Sequence, residues 1–153
     1  MNIYRQHSFT LIELVIAVSI AIIAVGFALA NYKRGLRRAH EKIAAQQLVV
    51  IREAMRLYRA HEGIYPNAAT IDLSTTDKIN DFFNISLIED GASFSCVATA
   101  TPDSFKCNAS PTNSESWSLT AESSSLNGMP YCSAVVESDC TFCKSLANGG
   151  CPL

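Results

Sequence analysis

The sequence predicts an α+β fold in which one long N-terminal helix packs against a small antiparallel sheet. The apolar run from Phe9 to Leu29 has 21 residues, enough to cross a bilayer as a helix. Beyond it the pattern stays helical and amphipathic, with no proline before Pro66. After Pro66, short runs of β-forming residues alternate with turn residues, and all six cysteines lie there. Together these patterns indicate a helical anchor followed by one compact head.

Length and charge divide the chain further. At 153 residues, the part outside the membrane is large enough for one small domain. Residues 31–62 carry a net charge of +5, whereas residues 63–153 carry −7. We therefore divide the chain into a short polar segment at 1–8, a transmembrane helix at 9–30, the amphipathic half of the same helix at 31–62, and a disulfide-rich head at 63–153.

A single carboxylate, Glu13, interrupts the apolar run. Placing a carboxylate in a membrane segment costs on the order of 2–4 kcal/mol, so such a residue usually has a partner or a functional role. The surrounding residues read SFTLIEL from Ser8 to Leu14, after a short polar leader that contains Arg5. This motif resembles the class III signal of type IV pilins and of the pseudopilins of type II secretion systems.

The resemblance implies that residues 1–8 are a leader peptide and that residues 9–30 form the transmembrane and assembly helix. In that family a prepilin peptidase cuts before the Phe of the motif, here between Ser8 and Phe9, and methylates the new amino terminus. The resemblance also implies that Glu13 pairs with the N-terminal amine of a neighbouring subunit. A buried carboxylate is relieved only when that amine lies in the correct axial register, so Glu13 is the predicted assembly residue. Ser8 is small, but it stands where the family usually has glycine.

The same resemblance predicts partners and location. It implies a homopolymer or a heteropolymer with other pilins, prepilin peptidase, a pilus or secretion assembly platform, and the lipid bilayer. We expect a single-pass inner-membrane protein whose head lies outside the cytoplasm, and after assembly an extracellular pilus or a periplasmic pseudopilus. The positive-inside rule alone predicts the opposite orientation, because the stretch after the anchor is the more basic flank. The cleavage motif is more specific than a charge count, so we follow it.

The second half of the helix has one apolar face. At 100° per residue, five apolar residues form one stripe along the helix, with further apolar positions beside it and arginines on the opposite face. The helix should end at Gly63, because glycine tolerates the left-handed conformation that terminates helices, and Pro66 prevents its resumption. The turn Gly63 to Pro66 also resembles the one that follows the long helix in many pilins. The stripe comprises Ala44, Leu48, Ile51, Met55 and Tyr58, with Ile43, Val50, Ala54 and Leu57 beside it.

The head pattern predicts one short helix and then strands. Residues Asp77 to Phe83 place Ile79, Phe82 and Phe83 at helical spacing. Antiparallel strands packed on the apolar face of the long helix would complete the fold. The predicted strands are Ala92–Ala98, Ser104–Asn108, Ser116–Ala121 and Tyr131–Val136.

An even number of cysteines confined to a small head favours disulfides in an oxidising compartment. Six cysteines allow fifteen pairings, and sequence alone does not select one. Our prediction is Cys96–Cys107, Cys132–Cys143 and Cys140–Cys151. Two alternatives remain: a redox pair in the C-x-x-C motif Cys140–Cys143, or a zinc site formed by these two cysteines with Cys132 and Cys151. Either would make the chain a membrane-anchored thiol or zinc module.

No catalytic constellation stands out. None of the three histidines lies in the head, and no phosphate-binding loop or serine elbow occurs. Asp72, Asp77 and Asp81 lack the regular spacing of a calcium loop. The basic residues of 31–62 lie on a helix, and the head that follows is acidic and repels phosphate, so we expect no nucleic-acid partner. We predict no enzyme, cofactor or metal, but a type IV pilus-like subunit, with a type II secretion pseudopilin as the alternative.

Overall fold

The computed structural model describes residues 10–66, 71–98, 104–124, 128–134 and 139–153. The elements in chain order are helix α1 (Leu11–Glu62), helix α2 (Thr76–Phe83), strands β1 (Ala92–Ala98), β2 (Phe105–Pro111), β3 (Leu119–Glu122) and β4 (Tyr131–Cys132), and a final 3-10 turn at Leu146–Asn148. The chain divides into two units, residues 1–36 and 37–153, and α1 contributes to both. A long helix with a four-stranded antiparallel sheet confirms the predicted α+β, pilin-like class.

In the first unit, the described residues form an exposed apolar helix. The large apolar side chains between Leu11 and Leu29 are all at least half exposed. Among the described residues, α1 is the one helix long and apolar enough to cross a membrane. The Ser19 hydroxyl finds its hydrogen-bond partner within the helix, because Oγ donates to the Val15 carbonyl at 2.8 Å. Surface of this kind requires lipid or protein to cover it.

In the second unit, α1 supplies one wall of the core. Ala44, Leu48, Ile51 and Met55 are buried, as the stripe predicted. Tyr58 is only partly buried, and its ring lies 5.4 Å from that of Phe82. Two side chains predicted beside the stripe are exposed instead, Val50 at 47% and Leu57 at 72%.

The end of α1 follows the predicted signal. The helix ends at Glu62, and Gly63 takes a φ of +80°, a left-handed conformation that favours glycine. The Gly63 N–H donates to the Arg59 carbonyl at 2.8 Å. The turn then places the Tyr65 ring 4.9 Å from the Phe105 ring, so it joins the end of the helix to the start of β2.

Helix α2 is fixed by capping residues at both ends. It begins one residue before the predicted Asp77, because the extended Thr75 is the N-cap and accepts from the Lys78 N–H at 3.4 Å. Asn84 ends the helix in the left-handed conformation, with φ of 51°. The buried Thr76 hydroxyl accepts the Phe94 N–H at 3.0 Å, which ties α2 to β1.

The sheet has the order β1-β2-β3-β4, and each neighbouring pair is antiparallel. Strand β1 occupies the predicted residues, and β2 ends three residues later than predicted because all seven residues of β1 pair with it, from Ala92–Pro111 to Ala98–Phe105. β3 starts at Leu119 rather than Ser116, since pairing to β2 begins there. β4 ends at Cys132; residues 135 and 136 of the predicted strand lie outside the described part of the chain.

Three disulfides close the head, and two of the predicted pairings are wrong. Cys96 and Cys107 are directly opposed across β1 and β2 and are bonded, as predicted. The other bonds are Cys132–Cys140 and Cys143–Cys151, rather than Cys132–Cys143 and Cys140–Cys151. The reason is a tight reversal before the C-terminus, where the Lys144 N–H donates to the Gly150 carbonyl at 3.1 Å. That bond places the flanking Cys143 and Cys151 opposite each other, with Cα atoms 4.1 Å apart.

These pairings also remove the two thiol alternatives. Cys140 and Cys143 belong to different disulfides, so their C-x-x-C motif is not a redox pair. All six cysteines are bonded and no thiolate remains for zinc.

Candidate functional site

The N-terminus of α1 has a capping box built from Thr10 and Glu13. The Glu13 Oε2 accepts both the Thr10 N–H at 2.9 Å and the Thr10 hydroxyl at 2.8 Å, and the Glu13 N–H donates to Thr10 Oγ1 at 3.4 Å. Reciprocal bonds of this type satisfy donors that a helix start leaves without partners. The carboxylate that looked isolated in an apolar run is therefore bound locally by the threonine three residues before it.

Local binding changes what the carboxylate can do. Both described bonds go to one oxygen, so the capping box occupies part of the acceptor capacity of Glu13. A carboxylate with hydrogen-bond donors costs less in an apolar medium than a bare one. Glu13 can thus be tolerated in a single chain and still accept a further cationic partner.

The predicted cleavage and methylation positions, Ser8 and Phe9, lie outside the described residues. The described part of the chain begins at Thr10. Cleavage between Ser8 and Phe9 and methylation of Phe9 therefore stay predictions from the resemblance.

The second built site lies where the C-terminal segment meets α1. Glu41, a stem residue fully buried in the second unit, accepts four hydrogen bonds from two consecutive residues of the segment. The Thr141 N–H lies 2.7 and 2.9 Å from its two oxygens, and the Thr141 hydroxyl donates at 2.9 Å. The Phe142 N–H donates at 2.7 Å. Bonds from backbone N–H groups to a carboxylate are among the strong ones, so Glu41 anchors this segment to the helix.

An arginine one turn earlier completes the anchor. Arg37 Nε lies 3.5 Å from Glu41 Oε1, an ion pair at i, i+4 spacing, although its geometry is not that of a hydrogen bond. The Arg37 guanidinium also donates to the Asp139 carbonyl. The C-terminal segment is therefore bound on both sides of Cys140 by residues of α1.

The aspartates considered for calcium are not arranged as a metal site. Asp72 instead accepts from the Ser74 N–H at 3.0 Å and forms an ion pair with Lys78, in the first turn of the neighbouring helix α2. The bond from Lys78, together with the smaller effect of the bonds from Ser74, lowers the pKa of the Asp72 carboxyl to about 2. In the described part of the chain, no group of three or more histidine, cysteine or acidic side chains could hold a metal ion.

Comparison with known families finds a match at the N-terminus of the chain. The family described as the prokaryotic N-terminal methylation motif matches residues 3–30. No curated protein and no solved structure matched the chain. The chain thus carries the signature of type IV pilins and pseudopilins, whose motif family is structural rather than catalytic. The motif supports a pilin-like or pseudopilin-like protein, and with the apolar helix it indicates a membrane anchor.

Two residues of these sites were not singled out from the sequence. Thr10 could have been found, because Thr-x-x-Glu at the start of an apolar helix is the capping-box pattern. Glu41 was counted only as one charge of the stem. At 100° per residue it lies on the same side of the helix as Ala44, but nothing in the local sequence shows which segment returns to cover it.

Proposed function

We propose that the chain is a structural subunit of a type IV pilus-like filament. It is made as a precursor, cut by prepilin peptidase between Ser8 and Phe9, methylated at Phe9 and polymerised through its N-terminal helix. The observation that carries the proposal is Glu13 at the start of an exposed apolar helix, inside the matched methylation motif. Polymerisation and peptidase processing are what this motif implies in general.

The capping box suggests how assembly proceeds. In the free subunit, Thr10 satisfies part of the Glu13 carboxylate, and the apolar helix rests in the inner membrane. Cleavage creates an ammonium group at Phe9, and the ammonium of one subunit pairs with Glu13 of the next. On assembly, the apolar surface of the helix exchanges contacts with lipid for contacts with neighbouring helices. The charge pair therefore contributes mainly to the register between subunits and less to their total binding energy.

The disulfides support a head outside the cytoplasm. Three disulfides in a small domain are typical of oxidising compartments and rare in the cytosol. An impermeant thiol reagent, applied after reduction to intact cells and to cells with a permeabilised inner membrane, tests this orientation. Labelling only after the inner membrane is opened would place the head in the cytoplasm and overturn the proposal.

The motif is shared with type II secretion pseudopilins, which form the alternative. The disulfide-closed C-terminal segment supports the pilus interpretation, because such a segment is familiar in pilins. Shearing surface filaments from cells and identifying their proteins by mass spectrometry separates the two. We expect this chain in the filaments, beginning with N-methylated Phe9. Its absence there and its presence in a secretion complex would assign the pseudopilin role, whereas an uncut leader would contradict the processing step.

A further inference from the structure

A groove rich in arginine lies at the C-terminal end of α1. Arg52, Arg56 and Arg59 share one face of the helix, since they are separated by four and three residues. They line a cavity of about 240 Å³ together with Tyr65, Phe105 and Ser123. We name this surface the arginine groove.

Close packing of the surrounding residues holds two of the arginines of the groove in place. The Arg52 side chain is only 16% exposed, and its guanidinium lies against Gly128, where a Cβ would come within 2.2 Å of it. Gly128 has a φ of +68°, so its conformation and its missing side chain both accommodate this arginine. Arg59 stacks on the Tyr65 ring, with its guanidinium carbon 4.9 Å from the ring centre.

The groove keeps an excess of positive charge. Glu53 accepts from Arg52 at 2.9 Å and from Arg56 at 3.3 Å. Glu122 stands next to Ser123 and accepts the Tyr131 hydroxyl at 3.0 Å. Three guanidinium groups are thus set against two carboxylates. Of the two arginines that pair with Glu53, Arg56 is the more exposed, with 57% of its side chain accessible to solvent.

An exposed acidic loop lies at the opposite end of the second unit. Ile88, Glu89 and Asp90 are exposed, and no described residue forms an ion pair with either carboxylate. The next residue, Gly91, holds the loop against α1, since a Cβ there would lie 2.7 Å from the ring of His40. We name residues 88–90 the acidic loop.

The two surfaces cannot neutralise each other within one chain. Sixteen residues of α1 separate His40 from Arg56, about 24 Å along the helix. This exceeds the screening length of about 8 Å at physiological salt. Strand β1, which leaves the acidic loop and ends where β2 begins beside Tyr65, spans a similar distance of about 23 Å for seven residues.

The acidic loop also has an exposed apolar side chain beside its charges, since Ile88, 57% exposed, adjoins Glu89. One end of the unit therefore presents arginines with the aromatic Tyr65, and the other presents carboxylates with an aliphatic group. Opposite charges with apolar groups beside them are the pattern of a complementary contact.

We propose that the arginine groove is the docking site for the acidic loop of a second copy of the chain. The contact joins different surfaces of two identical subunits, so it leaves one groove and one loop open at the ends and repeats into a filament. This contact rests on the proposed function, because it joins the head domains of neighbouring subunits in the polymer whose register Glu13 sets. In such a polymer, the arginine groove of each subunit contacts the acidic loop of the next subunit.

A zero-length cross-link tests the contact directly. Arg56→Lys keeps the charge and supplies an amine that carbodiimide can couple to a carboxylate in contact. Filaments assembled from a mixture of ¹⁵N-labelled and unlabelled full-length Arg56→Lys chains should yield mixed-isotope peptides joining position 56 to Glu89 or Asp90. Arg38→Lys, an exposed position on the same helix outside the groove, is the matched control and should not give this product. Joining to other carboxylates only would overturn the proposal.

Charge reversal tests the energetic role. Arg56→Glu or Glu89→Arg alone should lower filament yield roughly fivefold, the effect of losing one exposed ion pair. The combination of Arg56→Glu with Glu89→Arg should restore most of the yield, which a merely misfolded variant would not do. Equal loss in the single and combined variants would contradict the contact. Free phosphate should not replace the loop; if phosphate restores Glu89→Arg assembly, the groove is a general anion site instead.

These outcomes separate the two proposals. If the wild-type chain forms no polymer, or its polymer does not depend on Glu13, the proposed function fails. If the polymer forms and depends on Glu13 while the cross-link and the rescue are both absent, only the groove-to-loop contact fails.

Discussion

The buried carboxylate of Glu41 accepts three of its four hydrogen bonds from Thr141, two from the backbone N–H and one from the hydroxyl. The two residues are 100 positions apart, so this contact joins the middle of the long helix to the disulfide-closed C-terminus. The C-x-x-C motif suggested redox or zinc chemistry, but the two residues between its cysteines, Thr141 and Phe142, donate their N–H groups to this carboxylate. The role of the segment is thus structural in this fold.

Removing the Glu41 carboxylate should destabilise the second unit strongly. Glu41→Ala leaves the Thr141 and Phe142 N–H groups without their acceptor, and we expect a loss of about 3 kcal/mol in the free energy of unfolding. Glu41→Gln keeps one acceptor oxygen and should lose about 2 kcal/mol. Urea unfolding of the full chain in detergent, without reductant, measures both. Glu53→Ala, an exposed carboxylate on the same helix, is the control and should change stability by about 0.5 kcal/mol or less.

Glu13→Ala should insert into the membrane at least as well as the wild type, because it removes a charge from an apolar segment. It should nevertheless assemble poorly, since the contact that selects the register is lost. Filament yield against membrane content, measured by quantitative blotting, gives the ratio. Ser19→Ala removes another polar group of the same helix and should assemble normally. Wild-type yield from Glu13→Ala would remove assembly from the roles of Glu13.

The disulfide pairing predicts specific peptides and a specific loss. Non-reducing digestion should release Cys132 linked to Cys140 and Cys143 linked to Cys151. Replacing Cys143 and Cys151 together by serine opens a short loop and should cost about 2.5 kcal/mol on the loop-entropy estimate. Recovery of a Cys132–Cys143 peptide from native protein would restore the pairing that the sequence suggested.

Two glycines should respond oppositely to alanine. Gly91→Ala places a Cβ against His40 at a φ of +78°, so we expect a loss of at least about 1 kcal/mol. Gly35→Ala lies in a helix with nothing within 4 Å of the added carbon and should stabilise the helix by up to about 1 kcal/mol. Thermal unfolding of both variants tests the pair, and equal shifts of the same sign would contradict it.

Tyr131 should titrate at unusually high pH. Burial and the neighbouring Glu122 carboxylate, which accepts its hydroxyl, raise the pKa of Tyr131 to about 12. A pKa raised in the folded state contributes stability below the ordinary value of about 10, and this contribution is lost as the pH rises towards 12. The difference in tyrosinate absorbance between wild type and Tyr131→Phe gives the midpoint. Glu122→Gln should lower it, and a midpoint near 10 in the wild type would contradict the hydrogen bond.

The sequence by itself determined the parts that depend on local pattern. The apolar run, the position of Glu13, the helix end at Gly63 and strand β1 all follow from periodicity, from the φ that glycine allows and from β propensity. The hairpin disulfide Cys96–Cys107 was also predictable, because two cysteines on neighbouring strands of a short hairpin face each other.

Only the tertiary structure decided the contacts between distant segments. Cys143 pairs with Cys151, not with Cys132, because the chain reverses where Lys144 bonds to Gly150, a turn that spacing does not reveal. Glu41 became an anchor because the C-terminal segment returns to α1. Local sequence specifies which conformation a segment prefers, whereas which buried group meets which donor depends on the packing of the whole unit.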